Sequence, residues 1–342
     1  MKVALDAQLT VGTATGIGEY VRGLSEALTD DDVAQFVALK EPRLDPWRFD
    51  RRVLWDQMLL PQRARASGAD VLHCASGTMP LCAGLPVVVT VHDVAWLHVQ
   101  AHARSYARYY FGAFTIARYR AAARIAVDSE FSRGELLRVL HDYDPQRVAV
   151  IYPGVGEDFC NVERRGGDGE TILVVGTIER RKNLEILIRA LPLLPDARIV
   201  CVGPSTAYER ECRELAAKLG VSDRIEFRGY VARAQLLELY ATCAVLALPS
   251  RYEGFGYPAA QALCAGAPCV VSDRSALPEI VGTDAAVVAV DDLPAWHRAL
   301  AAALRGESDE RAAAARARAH ARFGWSASAR AMQDLYRSAA AS

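Results

Sequence analysis

The sequence predicts an α/β protein of two doubly wound domains facing an interdomain cleft, and three observations carry the prediction. The chain has 342 residues, more than one hydrophobic core usually serves, and about 150 residues per domain gives two. Short β-branched runs alternate with amphipathic segments, the order of parallel strands crossed by helices. The strand runs are apolar with little alternation, as expected where helices cover both faces of a sheet.

In the first half the strand runs are KVALDA, FVALK, DVLHC, PVVVTVHD, RIAVDS and VAVIYPGV, with a Gly-rich loop and a helix from Ile17 to Leu28 after the first. ERRGGDGE, Glu163 to Glu170, then breaks the pattern and is the best candidate linker. Beyond it come TILVVGT, RIVCVGP, IEFRGY, AVLALPS, APCVVSD and AAVVAV, with helices such as Tyr208 to Leu219 and Ala234 to Thr242 between them. The expected division is 1–162, 163–325, and a terminal helix at 326–342 that packs back across both domains through anchors including Met332, Leu335 and Tyr336. Sheets of this kind take ligands at the carboxyl ends of their strands, which is where site residues are sought.

Composition excludes several classes. Lys and Arg total 40 against 41 Asp and Glu, so no basic surface for nucleic acid is indicated. The eight cysteines form no C-x-x-C pair and show no zinc spacing, so they read as reduced, buried, small apolar residues. Asp6 interrupts the apolar run of the N-terminus, and no run approaches the ~20 residues that span a bilayer. The expectation is a soluble cytoplasmic protein. One stretch, His102 to Ala126, interleaves Arg104, Arg108, Arg118, Arg120 and Arg124 with Tyr106, Tyr109, Tyr110, Phe111 and Phe114 and has no acid. It reads either as a partly buried helix with an Arg-rich outer face or as a peripheral contact with an anionic membrane surface.

Four segments carry chemistry. In PSRYEGFGYPAAQALCAGAPCVVS, Pro249 to Ser272, a strand leads through Glu253, Gly254, Phe255 and Gly256 into a helix with Pro258 in its first turn. Glycines admit a ligand to the backbone, a helix start attracts an anion, and a carboxylate can grip sugar hydroxyls. Gln261 lies further along that helix, where it could reach a ribose. In VVGTIERRKNLEILIRA, Val174 to Ala190, Arg180, Arg181 and Lys182 precede a helix whose dipole they oppose, a conflict that an anionic ligand relieves. TATGIGEYVRGL, Thr13 to Leu24, lacks the full G-x-G-x-x-G arrangement of a dinucleotide site; Gly16 and Gly18 fit either a phosphate loop or a tight turn. His92 and Asp93 end the strand PVVVTVHD, at the edge where a ligand lies.

The first of these segments resembles the signature of the retaining GT-B glycosyltransferases of family 4, E-G-F-G-x-P with a second Glu eight positions after the first. Glu253, Gly254, Phe255, Gly256 and Pro258 match as they stand, and Gln261 replaces the second Glu, which in the family holds the ribose of the donor. The resemblance implies a GT-B fold with a nucleotide diphosphate sugar as co-substrate, Arg181 and Lys182 on its diphosphate, and Gly16 and Gly18 near donor and acceptor. It also implies contact of His92 with the transferred sugar and a saccharide or lipid-linked acceptor. DSEFS, Asp128 to Ser132, and YPGV, Tyr152 to Val155, add weaker matches.

The G-I-G-x-Y-V start resembles mannosyltransferases of bacterial surface polysaccharides, which makes GDP-mannose the first donor to test and a UDP-hexose its rival. The catalytic candidates are His92, Arg181, Lys182 and Glu253; the donor-binding candidates are Gly16, Gly18, Gly254, Phe255, Gly256 and Gln261. No D-x-D follows a strand, so neither a metal nor another cofactor is expected. A sugar-nucleotide epimerase shares the two-domain layout but needs acid and base groups around the sugar that the sequence does not display. A nucleotide-sugar-binding protein without activity is the reading that Gln261 favours.

Overall fold

The computed structural model describes residues 1–12, 16–28, 34–94 and 109–341. Contacts divide the chain into one unit of Met1–Gly154 with Trp325–Ser342 and another of Val155–Gly324. The first contains β1 (Lys2–Asp6), β2 (Gln35–Leu39), β3 (Val71–Cys74), β4 (Val87–Val91), β5 (Arg124–Val127) and β6 (Val148–Val150). They form one sheet in the order β2-β1-β3-β4-β5-β6, with every pair parallel. The second contains β7 (Thr171–Val175), β8 (Arg198–Val202), β9 (Ile225–Phe227), β10 (Val245–Leu248), β11 (Cys269–Ser272) and β12 (Ala286–Val288). Its order is β12-β11-β10-β7-β8-β9, again all parallel.

Two doubly wound α/β units are therefore present, the fold class that the sequence predicts. In each sheet the winding reverses at one place, between β1 and β3 in the first and between β7 and β10 in the second. A reversal sends the two flanking loops to opposite sides and leaves a crevice at the strand ends. The apolar runs do what their pattern dictates: every residue of β3, β4 and β10 is buried. At about 1.5–3 kcal/mol for each fully buried Val, Leu or Ile, a central strand such as Val87–Val91 is firmly held.

Two expectations are corrected. Glu163–Glu170 is not a linker, because it runs along the second unit. The Arg164 guanidinium donates to the carbonyls of Tyr240 (3.1 Å) and Cys243 (2.7 Å), and the amide of Arg165 donates to that of Ala241 (3.1 Å). These carbonyls end the helix Arg233–Thr242, where a cation is favoured; charge and glycine in the sequence concealed an anchored segment. The terminal helix Trp325–Ala340 belongs to the first unit. It buries Ser328, Ala329, Met332, Leu335, Tyr336 and Ala339, the three-and-four spacing of one helical face. Its Trp325 lies so close to the helix Gly16–Ala27 that a Cβ on Gly23 would come within 2.2 Å of the indole.

Six of the eight cysteines are buried, whereas Cys82 is exposed and Cys160 half-buried, so the reading of all eight as core residues holds for six. No helix among the described residues is long and apolar enough to cross a membrane. Arg104, Tyr106 and Arg108 of the basic aromatic stretch lie outside the described residues. Within its described part, Tyr109 and Phe111 are exposed and Tyr110 is buried.

Candidate active site

The reversal point of the second sheet gathers the strongest motifs. The loop after β7 carries Arg180–Lys182 in a tight turn, and the loop after the neighbouring β10 carries Ser250 to Gly256. Lys182 Nζ donates to Glu253 Oε1 at 2.5 Å and Arg181 Nη1 to Glu253 Oε2 at 3.2 Å. Ser250 Oγ adds a donor to Oε1 at 2.7 Å, and the Glu253 amide donates to Ser275 Oγ at 2.8 Å. Burial alone would raise the Glu253 carboxyl, but Lys182 and Arg181 outweigh it and hold the group below the usual carboxylate range. Arg181 Nη1 also reaches the Tyr252 carbonyl at 2.9 Å, and its Nε meets Glu179 at 2.8 Å.

Arg180 behaves differently from its neighbours. Its side chain is 73% exposed, pairs with Glu211 at 2.5 Å and lies over the Tyr208 ring. The three adjacent cations thus divide into two that enter the cluster and one that covers the surface.

Glycines allow close backbone approach at the ends of β7 and β8. Gly176 and Gly203, after β7 and β8, have φ of +129° and +141°, and a Cβ on Gly203 would meet the Gly176 carbonyl oxygen at 2.2 Å. The helix Tyr257–Ala265 begins after Gly256, whose φ of +93° suits glycine. Gly254 is buried, and the next residue is Phe255. The Phe255 ring is buried edge-on against Tyr257 and Phe323, so it secures the loop from within the unit. Gln261 is half-buried, and its Oε1 accepts from Tyr240 Oη at 3.0 Å. Tyr240 is a partner that sequence reading missed, being a large apolar position on another helix.

In the first unit, His92 follows β4 and reaches both neighbouring strand ends. Its Nδ1 is 2.7 Å from Asp128 Oδ2, after β5, and its Nε2 is 3.0 Å from the Ala75 carbonyl, after β3. Tyr20 stands edge-on to the imidazole, with ring centres 4.8 Å apart. Gly16 and Gly18 occupy the first turn of the helix Gly16–Ala27 rather than a loop, Gly16 exposed and Gly18 buried. Thr13 to Thr15 lie outside the described residues.

A second group missed in the sequence surrounds the end of β1. Asp6 accepts from Trp55 Nε1 (2.8 Å) and Ser76 Oγ (3.0 Å). Arg52 donates to Asp56 (3.0 Å) and Thr78 (2.6 Å), and Tyr110 Oη donates to Asp56 (2.9 Å). The signal available was Arg52 and Asp56 one helical turn apart, which is ordinarily a surface pair; both are buried here.

The comparisons with known proteins fall on the same two halves. Residues 14–159 match the family model described as Glycosyltransferase Family 4, and residues 157–321 match Glycosyl transferases group 1. The chain is 33% identical over 235 residues to the D-inositol 3-phosphate glycosyltransferase of Mycolicibacterium paratuberculosis, covering 64% of this chain and 53% of that one. The protein of the same description from Streptomyces scabiei is 33% identical over 245 residues, with coverages of 64% and 55%. The chain thus spans about half the length of these curated relatives. Among solved structures, Anabaena HepE in complex with UDP-glucose superimposes with a TM-score of 0.75 at 18% identity, covering 99% of this chain and 100% of that one. WaaG, described as a glycosyltransferase involved in lipopolysaccharide biosynthesis, does so with a TM-score of 0.71 at 16% identity, covering 98% and 99%. At such identities the likeness is one of fold.

Proposed function

We propose that the chain, whose two halves match the family 4 and group 1 glycosyltransferase models, moves a hexose from a nucleotide diphosphate donor to a hydroxyl of a saccharide or lipid-linked acceptor. The observation that carries this reading is the Arg181–Lys182–Glu253 cluster at the reversal point of the second sheet. Two cations face one carboxylate there, so the group holds one positive charge in excess before Glu179 is counted. A diphosphate takes up Lys182 and Arg181 as its charge grows during departure, and fixed cations of this kind are usually the largest catalytic contribution. Glu253, released from part of its pairing, then accepts from hydroxyls of the transferred sugar.

The reaction we propose retains configuration, the acceptor attacking the face from which the diphosphate leaves. A donor phosphate oxygen takes the acceptor proton, and no metal ion is required. Gln261, carried by Tyr240, stands where the family places its ribose-binding Glu. It hydrogen-bonds a ribose without the added strength of a charged acceptor.

GDP-mannose is the first donor to test because of the G-I-G-x-Y-V start. A UDP-hexose is second, favoured by the fold shared with HepE, whose structure was solved with UDP-glucose. Polysaccharide or glycolipid assembly at a membrane surface is the proposed setting. The exposed Leu54, Met58, Leu81 and Phe111 of the first unit supply apolar surface for peripheral contact. An inositol phosphate is an acceptor to include, given the curated relatives.

The test is a thermal-shift screen against GDP, UDP, ADP, TDP and their sugar conjugates, since a ligand of the native state raises its apparent stability. A shift with one base and its sugar conjugate assigns the donor. No shift with any of them contradicts the proposal.

A further inference from the structure

Three adjacent strand ends of the first sheet converge on one imidazole. Ala75 follows β3, His92 follows β4 and Asp128 follows β5, and the His92 side chain, only 15% exposed, makes a hydrogen bond to each of the others. The Ala75 carbonyl can only accept, and Asp128, whose carboxyl burial pushes up while His92 pulls it down, accepts when ionised. A neutral imidazole has one N–H and one lone pair, so it would turn that lone pair on an oxygen at 2.7 or 3.0 Å. While Asp128 is ionised, only the doubly protonated ring satisfies both contacts.

His73 is the internal contrast. It is fully buried, and its Nδ1 and Nε2 face the hydroxyls of Tyr336 and Thr90, each at 2.8 Å. A hydroxyl can donate or accept, so a neutral ring fits there, and burial pushes its pKa down to about 3. At His92 burial also opposes the charge, but Asp128, the Ala75 carbonyl and Asp93 in the next position outweigh it, and its pKa lies above the ordinary histidine value. The Tyr20 edge, from the helix Gly16–Ala27, also faces the ring, and the charge on His92 pushes the pKa of His73 lower still.

We propose that Asp128 is a positioning residue that keeps His92 an imidazolium, with Nδ1–H on the carboxylate and Nε2–H on the Ala75 carbonyl, and that a sugar oxygen bound at this strand end takes up the Nε2–H in place of that carbonyl. The assignment deepens the transferase reading and, in its last clause, rests on it. Such a ring donates and does not accept, so His92 orients the sugar and is excluded as the base that takes the acceptor proton. Asp128 needs no contact with the ligand; it acts by fixing the ring orientation and charge from Nδ1, as a carboxylate behind a histidine does.

Selective 15N labelling of histidine in the full chain reads the claim directly. Between pH 5 and 9 the His92 ring should carry protons on both nitrogens until a midpoint above the ordinary value of about 6.5, while His73 stays neutral. In Asp128→Asn the His92 midpoint should fall by about one pH unit or more, the usual effect of removing an opposite charge at this range. Transfer kinetics supply the second readout. Wild-type kcat/KM should decline as pH rises through the His92 midpoint, D128N should decline at lower pH and approach the wild type at the acid end, and His92→Gln should be impaired at all pH values. A neutral His92 at pH 6 in the wild type, or a D128N profile lowered equally at every pH, overturns the proposal. The wild-type titration needs no variant to fold. Should no donor be turned over at all, the transferase reading fails while the ring assignment still stands or falls by its spectrum.

Discussion

Replacing Lys182 with alanine separates the cation that faces Glu253 from the one two positions earlier that does not. Lys182 Nζ lies 2.5 Å from Glu253 Oε1, and the two side chains are 11% and 8% exposed. Unit charges about 4 Å apart near a protein surface attract by about 4 kcal/mol; desolvation returns much of that, and removing one member of a buried pair costs about 3–5 kcal/mol. Arg181 and Ser250 still serve the carboxylate, so the lower end, about 3 kcal/mol, is the expected stability loss. Loss of a fixed group that stabilises developing charge costs about 10²–10³ in kcat, and that is the expected kinetic effect, with a smaller change in KM. Arg180→Ala is the control: its pair with Glu211 is on the surface, 73% exposed on the arginine side, and such pairs contribute about 0–1 kcal/mol. Initial rates of nucleoside diphosphate release, with the donor selected by the thermal-shift screen, should fall for K182A and stay within about threefold for R180A. Equal losses in the two variants, or none in K182A, would refute the assignment of the diphosphate to this cluster.

Three more outcomes follow from the same geometry. Glu253 has a lowered folded-state pKa, so its ionised form contributes stability that is present above the unfolded carboxylate value and lost as pH falls through the folded one; the advantage of wild type over Glu253→Gln in denaturant unfolding should therefore shrink from pH 7 toward pH 3. Gly203→Ala combines φ of +141° with a 2.2 Å approach to the Gly176 carbonyl and should cost about 1–3 kcal/mol or more, read as a lowered midpoint of chemical unfolding. Transfer should persist in full in a chelator; abolition with recovery on adding magnesium or manganese contradicts the metal-free reading.

The strands were legible because parallel, doubly covered sheets demand continuous apolar runs, and KVALDA, PVVVTVHD, TILVVGT and AVLALPS have no other ready use. Glu253, Arg181 and Lys182 were singled out through the resemblance of their segments to family 4, and they meet because each follows a strand and β7 and β10 are neighbours. What sequence could not supply was side-chain direction within a loop. Arg180 and Lys182 look equivalent in the chain, and only the tight turn sends one to Glu211 and the other to Glu253. Asp128 sat in a strand-end segment of low specificity, and its value depends on β4 and β5 being neighbours, a fact of sheet order. Glu163–Glu170 misled because charge and glycine are also what a segment uses to bind the end of a helix. Gly18 lies within the helix expected from Ile17 to Leu28, and Gly16 begins that helix one residue earlier than expected.

The most direct test of the account is calorimetric titration of the selected nucleoside diphosphate into the wild type and into the double variant Arg181→Ala, Lys182→Ala. The account predicts one site per chain in the wild type and affinity weakened about a hundredfold or more in the variant. Unchanged affinity would mean that the diphosphate binds elsewhere and that the cluster at the reversal of the second sheet is not the donor site.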